Sequence, residues 1–597
     1  MRQVWLHHII IVAVAGIVLF TNLGGPRLWD RDEPRNAGCA AEMLERGDAI
    51  VPFFNGEMRA HKPVLLYWLI MSAYTVFGVS EFSARFWSAL LAAGTAIVTY
   101  HIGRRLFNAQ VGLWAAVILA TSLMFDIAGR AATPDSVLIF FSTLALMVFV
   151  LAAFKPDTVR FPSSWPMVAL MYAVMGMAVL AKGPVGLVLP TAVIGMFLLI
   201  MRLPTDRNDG KNRKWVRLAY GMLRPFAPLH FLRTCWLMRP LTALGIVAAV
   251  ALPWYIWVGL RTDGEFLRVF FGEHNFGRAT TAMEGHNGSP LFYPVAILIG
   301  FFPWSVFAGP ALIGVVSRIR RGDRWSAGYV FAGCWVGVYV GLFSLAQTKL
   351  PSYVTPCYPA LALLTGCFIY HWTRGEAAAS RLWPRLAFVS LGLVGVAMTI
   401  GLPLAARRYL PGDEWLGAIG LILLAGATIG FVFMETARIR FAALSTAATA
   451  IVFTTLLFGF VAVCVDRHQQ NHLLLAAVTG SSDNPRVGSF GRLEPTWIFY
   501  GGQPIDELTL DSPDSPRSDR SPWKPKLRPL AAEYYGDGRD CFIFTTDRHW
   551  AELQKALPPQ ACVVAECPLF LKDDRLLLIG RKDVPFRTAS RDSDSAR

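Results

Sequence analysis

Short polar clusters interrupt a chain that is otherwise apolar over long stretches up to about residue 465. They are Trp29-Asp30-Arg31-Asp32-Glu33-Pro34-Arg35, His61-Lys62-Pro63, Thr133-Pro134-Asp135, Ala181-Lys182-Gly183-Pro184, Gly272-Glu273-His274-Asn275-Phe276-Gly277-Arg278 and Thr348-Lys349-Leu350-Pro351-Ser352-Tyr353. Charged groups at membrane depth are expensive and mark sites. The adjacent carboxylates Asp32 and Glu33 could bind a cation, activate a nucleophile or orient a substrate. They could equally be solvated loop acids paired with Arg31 and Arg35. Asp135 is either a further acid or the N-cap of the helix that follows it, a normal place for Asp. Lys62 and Lys182 could each hold a lipid phosphate as a point charge, or snorkel to headgroups. Lys349 and Tyr353 flank a proline and could both donate to phosphate oxygens, unless they belong to an interfacial belt. His274 and Arg278 are four apart and would share a helix face, although Gly272 and Gly277 leave a loop open. Imidazole and carboxylate are suitable ligands for a divalent metal. His61 and His274 with Asp32 and Glu33 could therefore hold one, but no HxxxH or HxxE spacing supports it.

Membrane helices must position these groups. The chain has 597 residues, of which 16% are charged and 54% hydrophobic, with a mean hydropathy of +0.43. That is a polytopic composition. Apolar segments fall near 8–24, 83–102, 111–128, 136–154, 166–181, 184–201, 241–259, 291–315, 327–346, 356–372, 385–405, 414–434 and 442–465. Most are long enough to cross roughly 30 Å of hydrocarbon. The pair around Lys182-Gly183-Pro184 could instead be one broken helix and a re-entrant piece. The segment at 25–80 is a long outer loop, and its Ala40–Arg46 and Tyr67–Tyr74 stretches predict two short helices on the membrane surface. The expected architecture is an all-α polytopic membrane protein of about 13 transmembrane helices over 1–465, with interfacial helices in the first outer loop. A small α/β domain completes it over 466–597.

The net charge of +15 does not point to nucleic acid, because the basic residues gather in inter-helix loops. The 202–240 loop, Arg104-Arg105, Arg318 to Arg321, and Arg438 with Arg440 all fall on one side of alternating spans. The positive-inside rule makes that side cytoplasmic. Every polar cluster then falls on the other side, with the C-terminal domain. In a bacterial inner membrane that side is the periplasm. Residues 1–24 read as a retained first helix rather than a cleaved leader, since no small-x-small site precedes Trp29.

In the tail, Pro485–Phe490, Trp497–Tyr500, Cys541–Thr546, Cys562–Val564 and Leu576–Ile579 read as strands, and Asp547 to Leu557 as a helix. Asp511–Pro525 reads as a loop and Thr588–Arg597 as disordered. The tail shows no nucleotide fingerprint, so a supporting role is expected of it. None of the nine cysteines has metal-ligand spacing. Cys541, Cys562 and Cys567 lie where an oxidising compartment would permit a disulfide, without spacing that fixes a pair.

The order of these motifs resembles a known family. Leu28-Trp29-Asp30-Arg31-Asp32-Glu33-Pro34-Arg35, Glu42-Met43-Leu44, Gly47-Asp48, Val51-Pro52 and His61-Lys62-Pro63 before Tyr67-Trp68 resemble the first outer loop of the bacterial aminoarabinose transferases. Those are GT-C glycosyltransferases, as are the more distant protein O-mannosyltransferases. The resemblance continues through Arg130 to Asp135, Lys182-Gly183-Pro184, Glu273 to Arg278, Phe302-Pro303-Trp304 and Lys349 to Leu361. It implies sugar transfer from an undecaprenyl-phosphate-linked donor to lipid A, or to another envelope acceptor, among membrane lipids. By motif, Asp32 is the essential acid and Asp135 the second, with Glu33 beside them. Lys62, Arg278, Lys349, Tyr353 and Lys182 are contacts to the donor phosphate. His274 is a site or metal-shell residue. Some members carry Glu where this chain has His61, so the metal site and the exact sugar do not carry over directly. Rival readings are a protein or polysaccharide glycosyltransferase of the same fold, and a transporter for lipid-linked sugars.

Overall fold

Apolar runs long enough to bridge a bilayer form helices whose outward faces stay apolar, as in Trp5, Ile9, Val12, Leu393 and Ile400. Such a surface is stable against lipid and a liability in water. The computed structural model describes residues 2–29, 32–155, 158–203, 224–277, 289, 291–376, 380–481, 485–510, 528–536, 540–570 and 572–581. Among them, 10 helices are long and apolar enough to cross a membrane, or up to 12 if each bent pair is one span. The bent pairs are Ala109–Leu119 with Leu123–Arg130 and Phe292–Gly300 with Trp304–Arg320. The shorter apolar helix Val185–Met201, of 17 residues, accounts for the remaining segment of the sequence reading. The protein is a multi-pass membrane protein.

The first part of the bundle builds the site. Helix α1 (Arg2–Phe20) leads into a loop and then α2 (Asp32–Arg46). Strands β1 (Phe53–Phe54) and β2 (Glu57–Met58) form a hairpin, and α3 (Leu65–Phe77) follows. Both surface helices of the first loop are therefore present and longer than the expected stretches. The hairpin was not anticipated, though its turn is Asn55-Gly56, with φ of 60° and 71° at the two positions. That dipeptide suits a tight hairpin turn with both central residues at positive φ.

Helix α4 (Glu81–Leu106) starts at a capping box in which Ser80 and Ser83 bond each other's backbone N–H. Helices α5 (Ala109–Leu119), α6 (Leu123–Arg130) and α7 (Pro134–Ala153) follow. Helices α8 (Trp165–Lys182) and α9 (Val185–Met201) are two separate helices rather than one broken helix. Gly183, at φ 83°, makes the turn between them. Gly186 lies so close to α8 that an added Cβ would stand 2.3 Å from the Ala178 carbonyl carbon.

Two buried arginines tie down the end of α1. Arg130 donates to the carbonyls of Val18 and Leu19 at 2.9 Å, of Thr21 at 2.9 Å and of Phe458 at 3.2 Å. Arg85 donates to the carbonyls of Leu23, Pro26 and Arg27 at 3.0, 2.7 and 2.8 Å. Helix C-termini leave carbonyls without intrahelical partners, and basic side chains satisfy them here. This fixes where the chain leaves the bundle and where α2 begins.

The C-terminal domain carries a five-stranded mixed sheet in the order β4-β3-β5-β7-β6. Its strands are β3 (Arg486–Phe490), β4 (Asp506–Leu508), β5 (Cys541–Thr546), β6 (Ala561–Pro568) and β7 (Arg575–Arg581). β3 is parallel to β4 and β5, and β7 is antiparallel to β5 and β6. The helix expected from Asp547 spans Asp547–Ala556. The Trp497–Tyr500 run is a correction: it lies in the helix Pro495–Gly501, not in a strand. Pro495 occupies the first helical turn, where a missing N–H costs nothing, and Trp497 and Ile498 are buried. Residues 511–527 and 582–597, where a loop and a disordered end were expected, lie outside the described residues.

All nine cysteines are free. The register explains this for the tail. Cys541 pairs with Arg486 of β3 and Cys562 with Gly580 of β7, so β5 and β6 lie on opposite sides of β7. Two strand spacings, about 9–10 Å, exceed the roughly 7 Å that a disulfide can span.

Candidate active site

The start of α2 and the ends of α6, α7 and α8 meet at one rim of the bundle. Glu33 is the residue that draws them together. Its side chain is 5% exposed and pairs with Arg85 of α4 at 2.6 Å. The same carboxylate accepts from the Trp29 amide at 2.9 Å and the Ala132 amide at 3.0 Å. Asn36, one turn further along α2, donates to the Ala132 carbonyl at 3.0 Å. Glu33 therefore fastens α2 to the segment that opens α7, with every contact on the protein side. Expected as a catalytic partner for Asp32, it is spatially an organiser.

Asp32 is placed differently. Its side chain is 53% exposed, and its nearest charged partner is the buried Arg59 at 4.0 Å. The two neighbouring acids thus face opposite ways on the first turn of α2. Asp135 lies in the first turn of α7 without capping it, since no side chain caps that helix at Thr133. Its carboxylate instead forms an ion pair with Lys182 at the end of α8. The Lys182 ammonium stands 5.6 Å from the centre of the Tyr353 ring, and Glu33 and Asn36 of the helix that Asp32 opens bond Ala132, three residues before Asp135. The sequence-predicted residues Asp32, Asp135, Lys182 and Tyr353 are therefore brought to one place.

Lys349 is buried and donates to the Ser344 carbonyl at 3.1 Å. The Tyr353 ring packs against Phe343 at 5.0 Å. His61 and His274 also meet, with ring centroids 4.0 Å apart and a 33° tilt. Burial, together with Arg59, His274, Lys62 and Arg35 around it, pushes His61 down to about 2, so the ring is neutral at ordinary pH. Nδ1 of His61 is buried without a hydrogen-bond partner. Among the described residues no three His, Cys, Asp or Glu groups gather as metal ligands. The two facing imidazoles are chemically suited to a divalent ion and supply two of the ligands one would need. Arg278 lies outside the described residues.

Arg59 and Arg85 are the residues the sequence reading missed. Arg85 had a signal, since it is an arginine inside an apolar helical run. Arg59 stands three positions before Lys62 and was passed over beside it.

The chain is similar to several known proteins. Residues 61–231 match the family model described as dolichyl-phosphate-mannose-protein mannosyltransferase. Two Aquifex aeolicus proteins without an assigned function are 30% identical over 355 and 342 residues. These stretches are 59% and 57% of this chain, and 62% and 68% of those proteins. An undecaprenyl phosphate-alpha-4-amino-4-deoxy-L-arabinose arabinosyl transferase of Pectobacterium carotovorum is 28% identical over 427 residues, 70% of this chain and 69% of that protein. The crystal structure of ArnT from Cupriavidus metallidurans bound to undecaprenyl phosphate superposes with a TM-score of 0.72 at 20% identity, over 97% of this chain and 98% of that one. The chain is thus similar in sequence to aminoarabinose transferases and shares its fold with one of solved structure. That superposition extends along nearly the whole length of the chain, the small C-terminal sheet domain included.

Proposed function

We propose that this protein moves a sugar from an undecaprenyl-phosphate donor to lipid A, or to another envelope acceptor, at the periplasmic face of a bacterial inner membrane. The sugar we assign is aminoarabinose-like, with other pentoses and hexoses as the alternatives. One observation carries the reading: half-exposed Asp32 stands beside the Asp135–Lys182 pair and Tyr353 at a single rim of a membrane bundle. The relatives named as arabinosyl transferases support the donor class.

In this reading Lys62, Lys349, Tyr353 and Arg278 face the donor phosphate. Preorganised cations and donors stabilise the charge that develops on a departing phosphate. Asp135 holds Lys182 in the same region through their ion pair. Asp32 stands near the anomeric carbon. The acceptor oxygen attacks that carbon as the bond to the phosphate oxygen breaks, in one displacement with inversion. With a hydroxyl acceptor, Asp32 takes the proton. With a phosphate acceptor no proton moves, and Asp32 orients the nucleophile. The match to the protein mannosyltransferase model favours a protein hydroxyl as the second acceptor class.

Binding of undecaprenyl phosphate tests the donor assignment without needing the sugar. A charge-assisted contact contributes about 1.5–3 kcal/mol, so Lys62→Ala and Lys349→Ala should each weaken affinity about 10- to 100-fold. Equal affinity in the wild type and both variants would remove the donor-phosphate reading.

A further inference from the structure

The C-terminal domain reaches the segment that carries Asp32, and one of its contacts there is with the Trp29 indole. Trp29 is the last described residue before Asp32. Its indole Nε1 donates to Asp466 Oδ1 at 2.6 Å. Asp466 closes the last membrane helix and is 6% exposed. The opposite partner of the indole is Phe570, with ring centroids 5.7 Å apart. Phe570 sits in the turn between β6 and β7, at the far edge of the C-terminal sheet. The backbone amide of Trp29 meanwhile bonds the Glu33 carboxylate at 2.9 Å, so a shift of the indole is passed to the residue next to Asp32.

Neighbouring contacts brace the same place. Arg27 donates to the Gln469 carbonyl at 2.5 Å and lies 3.9 Å from Asp466. The Leu28 amide donates to the Tyr500 hydroxyl at 2.8 Å, and that hydroxyl donates to Glu81 at 3.0 Å. A purely packing role for Trp29 would not need a buried carboxylate aimed at its one polar atom. Burying an acid is costly unless it is paired, and Asp466 is buried to meet Trp29 and Arg27.

We propose that Trp29 is a positioning residue for Asp32, held by Asp466 on one side and by Phe570 of the C-terminal domain on the other. The domain then has a defined part in the reaction: it sets the geometry of the acidic turn without touching substrate. The role in turnover rests on the proposed function of Asp32, whereas the clamp itself does not.

The test uses the full-length protein in detergent, comparing wild type with Trp29→Ala, Trp29→Phe, Asp466→Asn and Phe570→Ala. Hydrogen exchange is read at the amides of residues 29–37, with the buried strand β5 as the control for an intact domain. Loss of an aromatic pair costs about 0.5–1.5 kcal/mol, so Trp29→Ala and Phe570→Ala should speed exchange about 2- to 10-fold there and leave β5 unchanged. Trp29→Phe removes the indole hydrogen bond and Asp466→Asn weakens it by taking away the carboxylate charge, so their effects should be less than additive in the double variant. In sugar transfer, Trp29→Ala should lower kcat about 10- to 100-fold, as small misplacements of a reacting group do. The donor KM and the affinity for undecaprenyl phosphate should stay within about twofold. Unchanged exchange at 29–37 in both alanine variants overturns the clamp. Faster exchange with unchanged kcat overturns its positioning role. An Asp32→Asn variant with wild-type turnover would instead sink the proposed function and leave the exchange result standing.

Discussion

Asp32 and Glu33 are neighbours with opposite fates, and their exposures separate them: 53% for one side chain and 5% for the other. A buried ion pair broken on one side costs about 3–5 kcal/mol, because the remaining charge is uncompensated. Glu33→Gln should therefore destabilise the protein by about that amount, seen as a marked fall in the thermal midpoint in detergent. Asp32→Asn should leave the midpoint close to wild type, within the roughly 0.5 kcal/mol usual for exposed positions. An equal fall in both variants would contradict the division of labour. The sequence made both acids visible as a pair, with solvated loop acids facing Arg31 and Arg35 as the competing reading. It could not show which one turns inward. That choice depends on Arg85, fifty-two residues away, and on backbone amides that local patterning does not reveal.

At the scale of elements, the first outer loop is fixed at both ends by the C-terminal domain. Tyr500 bonds the Leu28 amide at one end. At the other, Asn55 in the β1–β2 turn exchanges two hydrogen bonds of 2.8 Å with the backbone of Ile505. Asn55→Ala with Tyr500→Phe should loosen this docking by about 1–3 kcal/mol. Limited proteolysis would then cut faster within 27–60, while the transmembrane helices stay resistant. Cleavage at the wild-type rate would show that the docking does not depend on these bonds. The elements themselves were readable where periodicity or length dominates. Each long apolar segment became a helix, and the strands β3, β5 and β7 stand where their β-branched and aromatic runs begin. The helix at Pro495–Gly501 was misread because an aromatic run looks like a strand until the proline and the burial against α2 are weighed. The short strand β4 was missed because Asp506-Glu507-Leu508 has no alternation long enough to register.

For the whole molecule, transfer at this rim requires a single sidedness. The basic loops and the acid-bearing rim must lie on opposite faces of the membrane. Lys555→Cys, in the exposed helix of the C-terminal domain, should react with a membrane-impermeant maleimide added outside the inner membrane. Arg440→Cys, at an exposed position in the first turn of the helix Ile439–Leu456, should react only after permeabilisation. The same labelling pattern for both cysteines would contradict the orientation. Charge bias and motif position agreed on this topology from sequence because each reflects a different constraint, insertion energetics for one and site chemistry for the other. The gathering of Asp32, Asp135, Lys182 and Tyr353 was legible only as a shared side. Their actual proximity comes from the packing of α2, α7 and α8 through Glu33 and Asn36.

The central claim is that this rim transfers a sugar from undecaprenyl phosphate with Asp32 at the reacting carbon. The most direct measurement incubates the purified protein with undecaprenyl-phosphate aminoarabinose and lipid A and follows the acceptor by mass spectrometry, wild type beside Asp32→Asn. The account predicts a lipid gaining the mass of one sugar, with the rate falling by about 10²- to 10⁴-fold in the variant. Transfer that proceeds equally well in Asp32→Asn would contradict it.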